Sequence, residues 1–165
     1  GSLAELEKLQ YLQLAGNQIT DLAPLAKMQN MRSLYLSNNQ IADVATVGTL
    51  PKVWSLYLDG NQVENLQPLA GLKWLGSLDL RGNGVTDLAP LEGLTELKYV
   101  FLGKNKIEDL GVLVAMAEKD SAGDQRFAPF WNLYLADNPL SDAAKADQVE
   151  KLKKLGAKVS LDTVP

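Results

Sequence analysis

The side chains able to perform chemistry are few in this sequence of 165 residues, and their types restrict the reactions open to it. The chain has no cysteine and no histidine, which excludes thiol nucleophiles, Ser-His-Asp relays and zinc sites built on thiolate or imidazole. Carboxylates remain. They leave two possibilities to weigh: glycoside hydrolysis by a pair of acids, and an oxygen-only site for calcium or magnesium.

The spacing favours neither carboxylate possibility. Asp59 and Asp79 are the only plausible pair for glycoside hydrolysis, but Arg81 lies beside them and should neutralise them rather than favour a protonated acid. Asp120 and Asp124 lack the fuller D-x-D-x-D-G spacing of a calcium loop. We therefore predict that the chain is not an enzyme and has no catalytic residues, no metal ligands and no cofactor.

Composition and charge limit the classes of partner that the chain could bind. Apolar residues make up 46% of the chain, which is enough for a continuous core without metal or disulfide bonds. The net charge of −4 argues against a nucleic-acid partner, which would require a clustered basic face. No run of about eighteen apolar residues occurs, so membrane insertion is not expected.

The elements that must position the polar side chains come from an internal repeat. Asn17, Asn39, Asn61, Asn83 and Asn105 are each 22 residues apart, and Asn138 follows after 33. Around each asparagine the pattern L-x-x-L-x-L-x-x-N-x-I recurs in apolar form, and its copies begin at Leu9, Met31, Val53, Leu75, Leu97 and Phe130. Alternation within the inner leucine pair is strand periodicity, so each repeat predicts one short strand of a parallel sheet.

The second half of each repeat predicts a short 3-10 turn, because its apolar residues recur every three positions. Proline falls in the first turn of several copies. An acidic or amide side chain stands where a capping oxygen is required, at Asp21, Asp43, Asn65, Asp87 and Asp109. These side chains are interpreted as structural and not as a carboxylate array.

The phrase N-x-I-x-D-L-x-P-L-x-x-L in 22-residue units resembles the internalin-like group of bacterial leucine-rich repeats, and the phosphatase-regulating members of that class are similar. The resemblance implies an α/β solenoid: a right-handed crescent with a parallel concave β-sheet, short 3-10 turns on the convex side and a C-terminal capping helix. It also implies protein interaction through the concave face. A secreted or cell-surface bacterial location is favoured over a cytoplasmic one.

The repeat boundaries divide the chain. Residues 1–2 are interpreted as a remnant of expression cloning, 3–140 as a partial repeat followed by six repeats, and 141–165 as a cap helix and last strand. Because Leu3 already lies in the tail of a repeat, we expect the natural protein to extend further toward its N-terminus.

An insertion at 111–129 interrupts the repeats and predicts a true helix followed by a rim loop. Arg126 and Phe127 of that loop are candidate accessory contacts. Beyond it, Ser141 is the expected N-cap of the cap helix and Gly156 its stop.

Two columns of residues should face the concave side, because they alternate with the core leucines along each strand. Six of the chain's eleven aromatic residues lie in these columns. Asp59 and Arg81 occupy matching positions and predict an ion pair, which Asp79 also stands close enough to join. The candidate binding residues are Tyr11, Tyr35, Trp54, Tyr57, Asp59, Asp79, Arg81, Tyr99, Phe101, Trp131 and Tyr134.

These residues predict a non-catalytic scaffold that binds a protein or peptide, since exposed aromatic residues are enriched at binding hot spots. Tyr57 and Phe101 should bracket the centre of the site at Asp79. Trp74 is expected to pack laterally between repeats. Three alternatives stay open: a carbohydrate-binding module, since rings also stack on sugars; a structural spacer; and aromatic residues that only stabilise the sheet.

Overall fold

A computed structural model describes residues 5–162 of the chain, so the inferences drawn from Gly1, Ser2 and Leu3 lie outside the described residues. Seven short strands form one parallel sheet in sequence order. The strands are β1 (Tyr11–Gln13), β2 (Ser33–Tyr35), β3 (Ser55–Tyr57), β4 (Ser77–Asp79), β5 (Tyr99–Phe101), β6 (Asn132–Tyr134) and β7 (Lys158–Ser160).

Within residues 5–162, short turns and three helices connect the strands on the other side of the core. The 3-10 turns span Ala23–Leu25, Gln67–Gly71, Ala89–Leu91 and Ala128–Phe130. The helices are α1 (Ala45–Gly48), α2 (Gly111–Ala122) and α3 (Val149–Lys154), the last preceded by a π-helical turn over Ala144–Gln148. This is the predicted crescent: a solenoid with a parallel sheet on one side and short turns on the other.

The repeat pattern sets the register of the sheet. The first residue of each inner apolar pair lies directly beside its counterpart on the next strand, as Leu34 beside Leu56 and Leu56 beside Leu78. These side chains are fully buried in one core that runs the length of the sheet. Because side chains alternate along a strand, the residues between them face the concave side.

The repeated asparagines join neighbouring turns of the solenoid. The Asn61 side chain donates to the carbonyl oxygens of Leu58 in its own repeat and Leu36 in the preceding one, both at 2.9 Å. Its Oδ1 accepts the Ile41 N–H at 3.0 Å. Asn39, Asn83, Asn105 and Asn138 make the same bonds to the repeats before them. Backbone groups left unpaired by the curve of the chain are satisfied in this way, as predicted.

The predicted capping side chains also bind as expected. The Oδ1 atoms of Asp21, Asp43, Asn65, Asp87 and Asp109 each accept the backbone N–H two residues later, at 2.7 to 2.9 Å. One difference concerns the turn after Asp43, which has Thr46 where three other copies have a proline and forms the short α-helix α1 in place of a 3-10 turn.

The sixth repeat departs from the prediction at the entrance to β6. Trp131 is fully buried, whereas Phe130, predicted as a core residue, is 59% exposed. The backbone N–H of Trp131 donates to the Ala128 carbonyl, just as the backbone N–H of Leu97 donates to the Leu94 carbonyl. Trp131 therefore takes the core position of Leu97 with one residue fewer before the strand, and its predicted place on the concave strip is wrong.

The rim loop that leads to this strand is tied down from within. Asp120 is buried, and its carboxylate accepts the backbone N–H groups of Arg126, Phe127 and Ala128 at 2.8 to 3.1 Å. Phe127 is buried edge-on against Trp131, with ring centroids 5.0 Å apart. Its predicted role as an accessory surface contact is therefore also wrong, because it fills the core beneath the loop.

The C-terminal segment closes the core much as predicted. The Ser141 hydroxyl accepts the Ala144 N–H at 3.1 Å, and Gly156 ends the helical segment with a φ of +99° that favours glycine. Val149 and Leu152 are buried, while Lys151, Lys153 and Lys154 are exposed. The π-helical turn within this helix was not predicted.

Candidate functional site

An aromatic ladder crosses the concave face. We use that name for Tyr11, Tyr35, Tyr57, Phe101 and Tyr134. Tyr35 and Tyr57 are stacked with ring centroids 4.5 Å apart, and Phe101 and Tyr134 stack at the same distance. Tyr11 leans on Tyr35 at 5.1 Å with a tilt of 44°. This spacing follows from the separation of about 4.8 Å between hydrogen-bonded strands, which places rings of equal register face to face.

Ring contact has an electrostatic consequence at the centre of the first stack. Burial raises the pKa of the Tyr35 phenol, and the neighbouring phenols of Tyr57 and Tyr11 raise it further. Tyr35 therefore stays neutral and keeps its hydroxyl proton over the physiological range. The ladder offers aromatic edges and hydroxyl groups to a partner.

Asp79 and Arg81 lie between the two stacks of rings, where the ladder is interrupted between Tyr57 and Phe101. The Asp79 side chain is 3% exposed, and Arg81 Nη2 donates to its Oδ2 at 2.7 Å. Arg81 Nε lies 3.1 Å from both carboxylate oxygens, and the hydrogen bond to Asp79 raises the pKa of Arg81 above its ordinary value. The guanidinium carbon lies 5.3 Å from the centroid of the Phe101 ring, within the range of a cation–π contact. The ion pair thus continues the ladder on the Phe101 side.

Asp59 has a different partner. Its Oδ1 accepts a hydrogen bond from the Ser37 hydroxyl, which lies just after β2. Asp79, rather than Asp59, holds the Arg81 guanidinium. The sequence suggested that Arg81 could pair with Asp59 or with Asp79. The structure forms the Asp79–Arg81 pair, at the end of β4 and in the turn that follows.

A depression of about 560 Å³ opens at this break. Small side chains at Ser55 and Ser77 and the short Asp79 leave space between Tyr57 and Phe101. The depression is lined by Trp54, Ser55, Tyr57, Asp59, Ser77, Asp79, Arg81, Tyr99 and Phe101. The structure therefore brings seven of the eleven sequence-predicted residues together.

The other four predicted residues lie apart from the depression. Tyr11, Tyr35 and Tyr134 extend along the ladder on either side, and Trp131 is buried beneath the sheet. Trp74 does not pack between repeats as expected, because it is 66% exposed.

Sequence reasoning missed a second cavity, which Trp74 lines together with Trp54, Arg32, Lys52, Glu96 and Lys98. The signal was present in the 22-residue period. Lys52, Trp74 and Glu96 occupy one repeat position, and Arg32, Trp54 and Lys98 occupy another.

The described residues contain no group of three acidic side chains placed to hold a metal ion. Asp120, considered for calcium, has both carboxylate oxygens occupied by backbone N–H groups. Between residues 5 and 162, no helix combines the length and the apolar character that crossing a membrane requires.

Comparison with known proteins places these features in a family. The family model for leucine-rich repeats in two copies matches residues 7–52 and 77–114. A search of curated protein sequences gives no significant match.

Solved structures resemble the chain over almost its full length. The internalin inlF from Listeria monocytogenes superposes with a TM-score of 0.81 at 25% identity, over 99% of this chain and 44% of that one. Internalin C2 from the same organism gives 0.74 at 32% identity, over 97% and 74%. A leucine-rich repeat protein from Leptospira interrogans gives 0.80 at 24% identity, over 96% and 38%, and shares the fold.

The chain spans less than half the length of inlF and of the Leptospira protein, and about three quarters of internalin C2. The matched repeats and the identity to internalin C2 agree with the 22-residue pattern and the parallel sheet. The chain belongs to the leucine-rich repeat family, in its internalin-like group.

Proposed function

We propose that this chain is a non-catalytic scaffold that binds a protein or peptide through its concave face. The aromatic ladder carries the proposal: five rings in two groups flank a depression lined by the Asp79–Arg81 pair. Tyrosine supplies a large contact area at low cost in side-chain entropy, which is why it is enriched at binding hot spots. The leucine-rich repeat fold is commonly used for protein binding.

The ring geometry favours a peptide over a sugar. A sugar ring stacks on a free aromatic face, but Tyr35 and Tyr57 cover one another, as do Phe101 and Tyr134. The ladder therefore presents mainly edges and hydroxyl groups, which suit hydrogen bonds and packing against an extended chain. Arg81 covers the Phe101 ring toward the depression, so the depression offers a single side chain of the partner mainly the ring of Tyr57.

The carboxylates support a non-catalytic role. Both oxygens of Asp79 accept hydrogen bonds from Arg81, so this carboxylate is occupied by its partner and is poorly placed to act on a substrate. Asp59 is bonded to Ser37. The proposal includes a secreted or cell-surface bacterial location, in keeping with bacterial relatives.

Peptide display against the purified chain tests this function. We expect enriched peptides whose affinity falls at least about tenfold in Tyr57→Ala and in Phe101→Ala, as for hot-spot aromatics. Lys27→Ala, an exposed change away from the concave sheet, serves as the matched control and should leave binding intact.

Two outcomes would overturn the proposal. Peptides bound equally well by the wild type and both variants would place binding elsewhere and leave the ladder as a sheet stabiliser. Glycan-array binding that depends on Tyr57 and Phe101, in the absence of any such peptide, would identify a carbohydrate-binding module instead.

A further inference from the structure

The second cavity lies beside the starts of the strands. It has a volume of about 380 Å³ and is lined by Arg32, Lys52, Trp54, Trp74, Glu96 and Lys98. We call it the edge pocket. Trp54 and Trp74 are 63% and 66% exposed, which is unusual for the largest apolar side chain when two occur together.

Gly76 makes room for one of these indoles. It occupies the same repeat position as Trp54, and a Cβ atom added to it would lie 2.3 Å from Trp54 Nε1. The Trp54 ring therefore extends across the Gly76 backbone toward the next repeat. Trp54 also lines the central depression, so the edge pocket and the concave face are continuous.

The charged side chains around the pocket are mostly basic. Glu96, its only acid, forms an ion pair with Arg126. Among residues 5–162, Arg32, Lys52 and Lys98 make no salt bridge, and Lys52 donates to Asn30 Oδ1 at 2.7 Å. A positive rim around two indoles stands out on a chain whose net charge is −4.

The pocket also offers almost only hydrogen-bond donors. Arginine, lysine and indole groups donate and do not accept, and the one acceptor, Glu96, is already paired. A neutral sugar, whose hydroxyl groups donate as well as accept, would leave several of its donors without partners there. A ligand rich in carboxylate and carbonyl oxygens, with an apolar group to cover the indoles, fits both the charge and the donor set.

We infer that the edge pocket binds an acidic segment of a protein partner, with one apolar side chain against Trp54 and Trp74 and flanking carboxylates on Arg32, Lys52 and Lys98. This inference rests on the proposed function, since the same partner would continue from the central depression past Trp54. The edge pocket then selects among partners by charge, while the ladder supplies packing.

A defined peptide tests the inference. The probe is an acetylated and amidated peptide with one leucine flanked on each side by three aspartates, and its counterpart carries lysines in place of the aspartates. The chain has three tryptophans, so their indole N–H signals in a nitrogen-15 NMR spectrum are assigned by single Trp→Phe changes. Titration with the aspartate peptide should shift the Trp54 and Trp74 signals saturably, leave Trp131 unmoved and weaken at high salt.

Variants separate this inference from the proposed function. Trp74→Ala and Lys98→Glu should each weaken the aspartate peptide by about tenfold or more, as expected for an aromatic anchor and a reversed charge. Lys27→Glu, an exposed charge reversal away from the concave sheet and the edge pocket, is the matched control and should leave that affinity unchanged.

The opposite results are equally clear. Equal binding of the lysine peptide, or aspartate-peptide affinity that survives both Trp74→Ala and Lys98→Glu, overturns the inference. Tighter binding of an oligogalacturonate probe than of the aspartate peptide would assign the pocket to an acidic glycan and overturn it too. A displayed peptide whose affinity depends on Tyr57 and Phe101 but not on Trp74 or Lys98 would overturn the inference about the edge pocket alone. The proposed binding at the concave face would be unaffected.

Discussion

Trp54 in the third repeat and Trp131 in the sixth stand at the same place in the sequence pattern, immediately before β3 and β6, yet one is 63% exposed and the other fully buried. The backbone N–H of Trp54 donates across the sheet to the Arg32 carbonyl, whereas the backbone N–H of Trp131 donates to the Ala128 carbonyl within its own turn. The different backbone hydrogen bonds accompany the different burial of the two side chains. The same position in two repeats has the same environment only where the backbone enters the strand in the same way in both.

The largest expected effect follows directly from this contrast. Trp131→Ala should lower the free energy of unfolding by about 3–5 kcal/mol, because it removes a fully buried ring and leaves a cavity against Phe127. Trp54→Ala should cost less than about 1 kcal/mol, since its ring is mostly in water. Urea denaturation followed by circular dichroism measures both values. Equal losses would mean that the burial of the two rings does not differ as described.

The second way to test the contrast is to release the loop that redirects the chain into β6. Asp120→Ala should cost about 2 kcal/mol, because three backbone N–H groups lose a buried acceptor. Cleavage by a protease should increase between 123 and 130, near the positive-φ residue Gln125. Asp124→Ala, a change to an exposed residue in the same loop, is the control. Unchanged stability in Asp120→Ala would show that other contacts, such as the buried Phe127 ring and the Arg126–Glu96 ion pair, hold the loop without it.

The same contrast explains which features the sequence predicted. The strands, the asparagine bonds and the capping side chains follow from a strict period of 22, because each copy meets identical neighbours. Trp131, Phe130 and Phe127 were misplaced because, after the insertion, one residue fewer separates the last core position from β6 than in the preceding repeat. The repeat pattern gives no sign of that change. The concave columns were predictable from strand alternation. The edge pocket was predictable only in part: the 22-residue period aligns its lining residues at two repeat positions, but its shape depends on how the Trp54 ring crosses Gly76.

A third prediction concerns the start of the insertion, where the capping carboxylate of Asp109 also accepts a hydrogen bond from the C-terminal helical segment. Gln148 Nε2 donates to Asp109 Oδ2 at 2.7 Å, and Gln148 Oε1 accepts the Leu110 N–H at the same distance. The hydrogen bonds from Gln148 and Gly111 lower the pKa of Asp109. Asp109→Asn should cost up to about 1 kcal/mol at neutral pH, since an amide cannot accept from Gln148 in the same orientation and the site is exposed.

The sign of the pH dependence follows from the lowered pKa. The stabilisation is complete above the pKa of an unfolded aspartate, about 3.9, and is lost as the pH falls through the lower folded value. The stability gap between wild type and Asp109→Asn should therefore close below about pH 4. Asp87→Asn, whose side chain keeps its bond to Ala89, should show little gap at any pH. A gap that widens in acid would contradict this account.

The smallest expected effect on stability returns to Trp54 and tests whether its exposed position depends on a glycine. In Gly76→Ala the new methyl group would meet Trp54 Nε1 at 2.3 Å, so the indole must swing outward. The free energy of unfolding should stay within about 0.5 kcal/mol of wild type, because the ring moves into water and alanine restricts the unfolded chain. Trp54 fluorescence should shift to the red, which a Trp54→Phe background isolates by difference. Affinity of the edge pocket for the aspartate peptide should fall, whereas binding at Tyr57 and Phe101 should persist. A large loss of stability would instead mean that Trp54 is held as rigidly as Trp131, and the two repeats would then differ only in which side of the sheet their ring covers.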